Sequence, residues 1–170
     1  MKRTIETASI LNSNTSSIFD KTISSKILDE INIGNRDGMT YEEWKKNYPD
    51  EFEEREKDKH NYRFPRGESY ADVIKRIEPM IFEIEREKQP IVIIGHQAML
   101  RCLYGYFSNI PIENLATLEI PLHQVIKFTP QVNGYKEERF EINPISKEFY
   151  GIEVNQEFEQ SKFFSLYNAF

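Results

Sequence analysis

His96 closes the apolar run Pro90-Ile91-Val92-Ile93-Ile94-Gly95 and precedes a segment with helical spacing. A buried strand that ends on a histidine at its carboxyl edge is where open α/β sheets place ligands. Gln97 and Arg101 follow at i and i+4, on one side of that helix. The free N–H groups and positive dipole end of a helix N-terminus favour an anion. Arg adds a planar fork that donates two hydrogen bonds at once, so these groups together make a phosphate cradle. Taken alone, a histidine at a strand end is as readily a core residue satisfied by backbone hydrogen bonds.

A second constellation is Arg55, Lys59, Arg63 and Arg66, interleaved with Tyr62, Phe64 and Tyr70. Glu51, Glu53, Glu54, Glu56 and Asp58 share the segment, and on charge alone a solvated face is the stronger reading. Glu30, at the end of an apolar stretch before a glycine turn, reads by itself as an exposed acid. The only histidines are His60, His96 and His123, with no ligand-like spacing, so no metal is expected. No GxxxxGK[ST] loop occurs.

The elements that must position these groups follow from patterning. Residues 2–12 put Ile5, Ala8 and Leu11 on one helical face, and residues 13–25 read as a Ser/Asn/Thr-rich loop. Lys26 to Ile33 reads as a short strand or extended segment. Thr40 with Glu43 forms a capping-box pattern for a helix that should stop at Tyr48-Pro49. Asp50 to Lys59 suggests a second short helix. From Ser69 to Glu87, the stripe Tyr70, Val73, Ile74, Ile77, Ile81 and Ile84 marks the clearest helix, with a kink or restart expected at Pro79. Ile91–Ile94 reads as a strand buried on both faces of a parallel sheet. A helix then turns Met99, Leu100, Leu103, Tyr104 and Phe107 inward. Residues 124–130 and 135–142 alternate around Asn133-Gly134, a hairpin at a sheet edge. Residues 144–170 read as an irregular tail packed on the surface or disordered. The fold class expected is three-layer α/β/α with a mostly parallel sheet.

With 170 residues, 39% hydrophobic and 29% charged, the composition is that of one soluble globular domain. A net charge of −6 argues against a protein wrapped on nucleic acid, while leaving room for a local cationic cluster. Cys102 is the only cysteine, so no internal disulfide can form and a reducing, cytoplasmic setting is expected. The longest apolar run, Ile91 to Ile94, is too short to span a bilayer, and MKRTIETASIL lacks the features of a signal peptide.

The order of segments resembles the bisphosphatase half of the bifunctional 6-phosphofructo-2-kinase/fructose-2,6-bisphosphatases, within the histidine phosphatase superfamily. The resemblance is carried by KRTIETA at 2–8, DEINIG at 29–34, GMTYEEW at 38–44, YPDEF at 48–52 and YRFPRGESYADVIKRIEPMI at 62–81. It continues through IIGHQAMLRCLYGYF at 93–107 and PLHQVIKFTP at 121–130, reaching about residue 142. It implies a domain over 1–143 followed by the tail. The implied reaction is hydrolysis of the 2-phosphate of fructose 2,6-bisphosphate to fructose 6-phosphate through a phosphohistidine, with developing charge held by fixed cations.

By the same resemblance, Arg3 would hold phosphoryl oxygens, Glu30 would protonate the leaving sugar oxygen, and His96 would stabilise the transferring group. Tyr41, Arg55, Lys59, Arg63, Tyr70, Gln97 and Arg101 would bind the sugar and its 6-phosphate. No cofactor is implied, since ATP and Mg belong to a kinase half, through which a homodimer would form. No nucleic acid or membrane partner is implied.

The Arg-His-Gly motif that carries the family's nucleophile does not occur in these 170 residues, nor does the strand expected to pair beside Ile91–Ile94. Loss of a covalent nucleophile costs on the order of 10⁴ in rate or more. An unpaired sheet centre costs about 1–3 kcal/mol per orphaned backbone group. The chain alone is therefore expected to be catalytically poor and unstable. The alternatives are a non-catalytic sugar-phosphate-binding remnant and a broader phosphomonoesterase of the same superfamily.

Overall fold

The computed structural model describes residues 2–14, 21–141 and 164–168. Helix α1 (Lys2–Asn14) comes first and packs against the sheet. The segment expected to be extended from Lys26 begins instead with a 3-10 turn at Lys26–Leu28, capped by the Ser25 hydroxyl accepting the Ile27 N–H. That cap satisfies the backbone locally, and no sheet pairing is needed.

Helix α2 (Tyr41–Asn47) carries the expected capping box, with both Thr40–Glu43 bonds made. It stops at Tyr48, and Pro49 opens α3 (Pro49–Lys57) at a position where its missing N–H costs nothing. Helix α4 (Tyr70–Arg86) is capped by Ser69 and Asp72 in the same reciprocal way. It buries Tyr70, Val73, Ile77, Ile81 and Ile84 and runs unbroken through Pro79, without the restart expected there. The apolar stripe continues on both sides of Pro79, and that burial outweighs the lost hydrogen bond.

Strand β1 (Ile91–Gly95) leads through His96 into α5 (Gln97–Phe107), whose Met99, Leu100, Leu103 and Phe107 are buried. Strands β2 (Gln124–Gln131) and β3 (Gly134–Glu141) form the expected antiparallel hairpin, with β3 at the outside of the sheet.

Strand β4 (Phe164–Asn168) lies within the segment read from sequence as an irregular tail. It pairs in parallel with β1 and antiparallel with β2, giving the order β1-β4-β2-β3. Two expectations are corrected here. Strand β4 fills one side of Ile91–Ile94, but among the described residues β1 ends the strand order and has no strand on its other edge, so it is an end strand rather than one inside the sheet. The α/β class holds, but among the described residues the sheet is mixed rather than mostly parallel, with one parallel pairing of three. The hairpin turn forces one antiparallel pair, and β4 lies antiparallel to β2 beside it. The rest of 144–170 lies outside the described residues. Leu166 of β4 joins Ile126, Phe128, Ile93, Leu100 and Leu103 in one core.

Candidate functional site

The N-terminus of α5 is where β1, α1 and the loop after Leu28 converge. His96 is its N-cap in extended backbone (φ −121°, ψ 163°), and its carbonyl accepts the Leu100 N–H. Its side chain does not cap the helix. Glu30 does so from across the fold: the Ala98 N–H donates to Oε1 at 3.0 Å and the Ile31 N–H donates to the same oxygen at 2.9 Å. A carboxylate therefore sits on the positive end of the α5 dipole, where the backbone favours an anion.

Arg3, on α1, donates from Nη2 to His96 Nδ1 at 3.2 Å. Guanidinium has no acceptor, so Nδ1 must accept and the ring proton belongs on Nε2. Burial pushes the imidazole below its ordinary value, Glu30 opposes this, and Arg3 adds to it. The ring is thus a neutral Nε2–H donor, and Nε2 is buried without a hydrogen-bond partner among the described residues. Such a donor suits an incoming phosphoryl oxygen.

Arg101 lies on the same helix and donates to the Leu118 carbonyl through Nε and to the Tyr70 hydroxyl through Nη1 at 2.9 Å. Tyr70 is the first residue of α4; burial raises its pKa, Arg101 lowers it, and Glu30 lies within electrostatic reach. Arg3, Glu30, His96, Tyr70 and Arg101 therefore form one connected group. Gln97, at the first turn of α5, is half-buried beside them.

The second group is built around Arg55 on α3. Its guanidinium lies near the rings of Tyr41 (5.5 Å), Trp44 (5.6 Å) and Phe64 (6.0 Å), and it donates to the Tyr41 hydroxyl at 3.2 Å. Glu56 pairs with Arg55 at 2.8 Å and with Lys59 at 3.0 Å. The solvated face suggested by charge alone is thus partly buried: Arg55 is 9% exposed. Arg63 stands outside both groups, paired with Asp72 of the α4 capping box. The two groups are joined through residues 58–70, where the Tyr62 N–H donates to the Asp58 carbonyl and the Ala71 N–H to the His60 carbonyl.

Two glycines bring the Glu30 loop against the loop before α4. A Cβ at Gly34, which has φ +53°, would overlap the Pro65 carbonyl, and one at Gly67 would overlap the Asn32 carbonyl. That approach lets the Glu68 N–H reach Asn32 O at 2.7 Å and the Asn35 N–H reach Pro65 O at 3.0 Å. Sequence reasoning had no signal for these contacts, or for Arg36, buried between Glu51 and the Tyr48 ring at 3.6 Å. Cys102 is buried, with its thiol pushed up to about 12, which leaves it no thiolate for nucleophilic work. Among the described residues no group of His, Cys, Asp and Glu could hold a metal ion, and no helix is long and apolar enough to cross a membrane.

Residues 1–143 match the histidine phosphatase superfamily (branch 1). The chain is 54% identical over 117 residues to the 6-phosphofructo-2-kinase/fructose-2,6-bisphosphatase of Arabidopsis thaliana, covering 69% of this chain and 16% of that one. It is 46% identical over 143 residues to the fructose-2,6-bisphosphatase of Saccharomyces cerevisiae, covering 84% and 30%. The chain thus spans less than a third of the length of these relatives. Among solved structures, YhfR of Bacillus stearothermophilus shares the fold with a TM-score of 0.56 at 23% identity, covering 88% of this chain and 67% of that one.

Proposed function

We propose that this chain, which belongs to branch 1 of the histidine phosphatase superfamily, binds fructose 2,6-bisphosphate and supplies the acid and charge-stabilising side of its 2-phosphatase reaction. The observation that carries the reading is the placement of the His96 ring. Its Nδ1 is engaged by Arg3 and its Nε2–H is unpartnered, beside the Glu30 carboxyl on α5.

In the reaction, a histidine nitrogen attacks the 2-phosphorus and the bond from phosphorus to the sugar oxygen breaks. His96 Nε2–H and Arg3 hold the equatorial oxygens as charge moves through the transition state. Glu30, in its protonated form, passes its proton to the leaving sugar oxygen and regains one from the water of the second step. Water then attacks the phosphohistidine, releasing inorganic phosphate and free imidazole. Arg55, Tyr41, Lys59, Tyr70, Gln97 and Arg101 bind the sugar and its 6-phosphate.

The attacking histidine is not supplied by these 170 residues, in which no histidine precedes a glycine. The chain by itself therefore binds without turnover. This reading takes the cytoplasm as its setting.

Calorimetric titration with fructose 2,6-bisphosphate, alongside a phosphate-release assay on the same compound, tests the assignment. The expected result is saturable binding that His96→Ala and Arg55→Ala each weaken by about tenfold or more, the worth of a charge-assisted hydrogen bond, with no phosphate released. Binding that neither substitution touches would overturn the assignment.

A further inference from the structure

Glu30 sits on a stretch without regular secondary structure, between the 3-10 turns at Lys26–Leu28 and Gly34–Arg36. A group that must meet a leaving oxygen needs placement to about half an ångström, and a free loop does not give that. Arg76, on α4, is the residue that ties the stretch down.

All five guanidinium N–H groups of Arg76 have acceptors. Nη1 donates to the carbonyls of Lys26 (3.3 Å) and Ile27 (2.6 Å). Nη2 donates to the carbonyl of Asp29 (3.0 Å) and to Glu68 Oε2 (3.1 Å), and Nε donates to Glu68 Oε1 (2.8 Å). Glu68 completes the clamp on the far side of Glu30. Its Oε2 accepts the Asn32 N–H at 2.9 Å, and its own N–H donates to Asn32 O at 2.7 Å. The backbone is thus held at residues 26, 27 and 29 before Glu30 and at residue 32 after it.

We propose that Arg76 and Glu68 are positioning residues for Glu30, fixing the loop so that its carboxylate lands on the Ala98 N–H of α5. The inference rests on the reading of Glu30 as the acid of the proposed reaction. An isolated ion pair at this degree of exposure would contribute little. Here the guanidinium is spread over three backbone carbonyls and one carboxylate, an arrangement that needs five donors in a planar fork. Lysine has three donors and no fork, so it reproduces only part of the set.

The test is amide hydrogen exchange by NMR on the full chain. In Arg76→Met, protection of the Ala98 and Ile31 amides is expected to fall about tenfold, the worth of one hydrogen bond. The Leu103 and Ile81 amides should keep their protection, and Arg76→Lys should recover part of the loss. Glu68→Gln should lower the same two amides, and Glu30→Gln gives the signature of the missing carboxylate directly. Unchanged Ala98 protection in Arg76→Met would overturn the proposal. So would a fall shared equally by Leu103 and Ile81, which would make Arg76 a support of the whole fold. Fructose 2,6-bisphosphate titration of the unsubstituted chain is read separately. Its failure would count against the function and leave the amide result standing.

Discussion

The two charged groups are assembled by opposite routes. The Arg55 group draws on residues 41 to 64, a single local stretch of two short helices and a loop whose aromatic rings wall in one guanidinium. The His96 group gathers Arg3, Glu30, Tyr70 and Arg101 from four separate segments. It further depends on β4, which pairs Asn168 against Gly95 next to His96. A local cluster needs only its own packing. A dispersed cluster inherits the stability of every element that holds it, and its charges are handled by backbone N–H groups and a neutral ring. On the proposed reading, the first would hold the fixed 6-phosphate and the second the phosphoryl group whose charge moves.

The sharpest way to break this contrast is at Leu166, 1% exposed at the centre of β4. Leu166→Ala should cost about 2–5 kcal/mol, read by denaturant unfolding. Trp44 is the only tryptophan and lies in the local group, so its fluorescence should change at higher denaturant than sugar-phosphate binding is lost. Coincident loss would mean that the two groups are not separable. Gly67→Ala should come next, at about 1–3 kcal/mol, by forcing the Asn32 carbonyl away. Its signature is loss of the Glu30 contact to Ala98 with unchanged Trp44 emission.

On the local side, Arg55→Lys keeps the charge but loses the planar face among the rings. It should weaken fructose 6-phosphate binding by about tenfold without altering the His96 ring, as calorimetry and NMR would show.

The smallest effect is one of acidity. The folded state holds the His96 imidazole below its ordinary 6.5, chiefly by burial. The unfolded chain therefore takes up the proton first as pH falls. This contribution to stability is complete above pH 6.5 and is lost as pH drops through the folded value. The melting temperature should decline less steeply between pH 7 and 5 in His96→Asn than in the parent chain. Equal slopes would remove the neutral ring from the account.

What could be read in advance follows the same division. The capping boxes at Thr40 and Ser69, the apolar stripe of α4, strand β1 and the β2–β3 hairpin are all set by neighbours in sequence, and each appears where its pattern lies. Strand β4 was not legible. Its five residues lie among other aromatics, and its partners are strands far earlier in the chain. Glu30 looked like a surface acid because its partner is a helix N-terminus 68 positions away. Arg76 was not singled out, since nothing in helical spacing marks a guanidinium that reaches three carbonyls of a distant loop. Arg55 was drawn toward the solvated reading by the acids around it. Only the packing of Trp44 and Phe64 shows it to be enclosed.

The central claim is that His96 meets a phosphoryl group as a neutral donor through Nε2. The most direct measurement is the nitrogen-15 NMR signature of its ring at neutral pH, before and after addition of fructose 2,6-bisphosphate. The account predicts the Nε2–H tautomer in the free chain and a shift at Nε2 on binding, with Nδ1 still held by Arg3. An Nδ1–H tautomer, an imidazolium, or a ring indifferent to the sugar phosphate would contradict it.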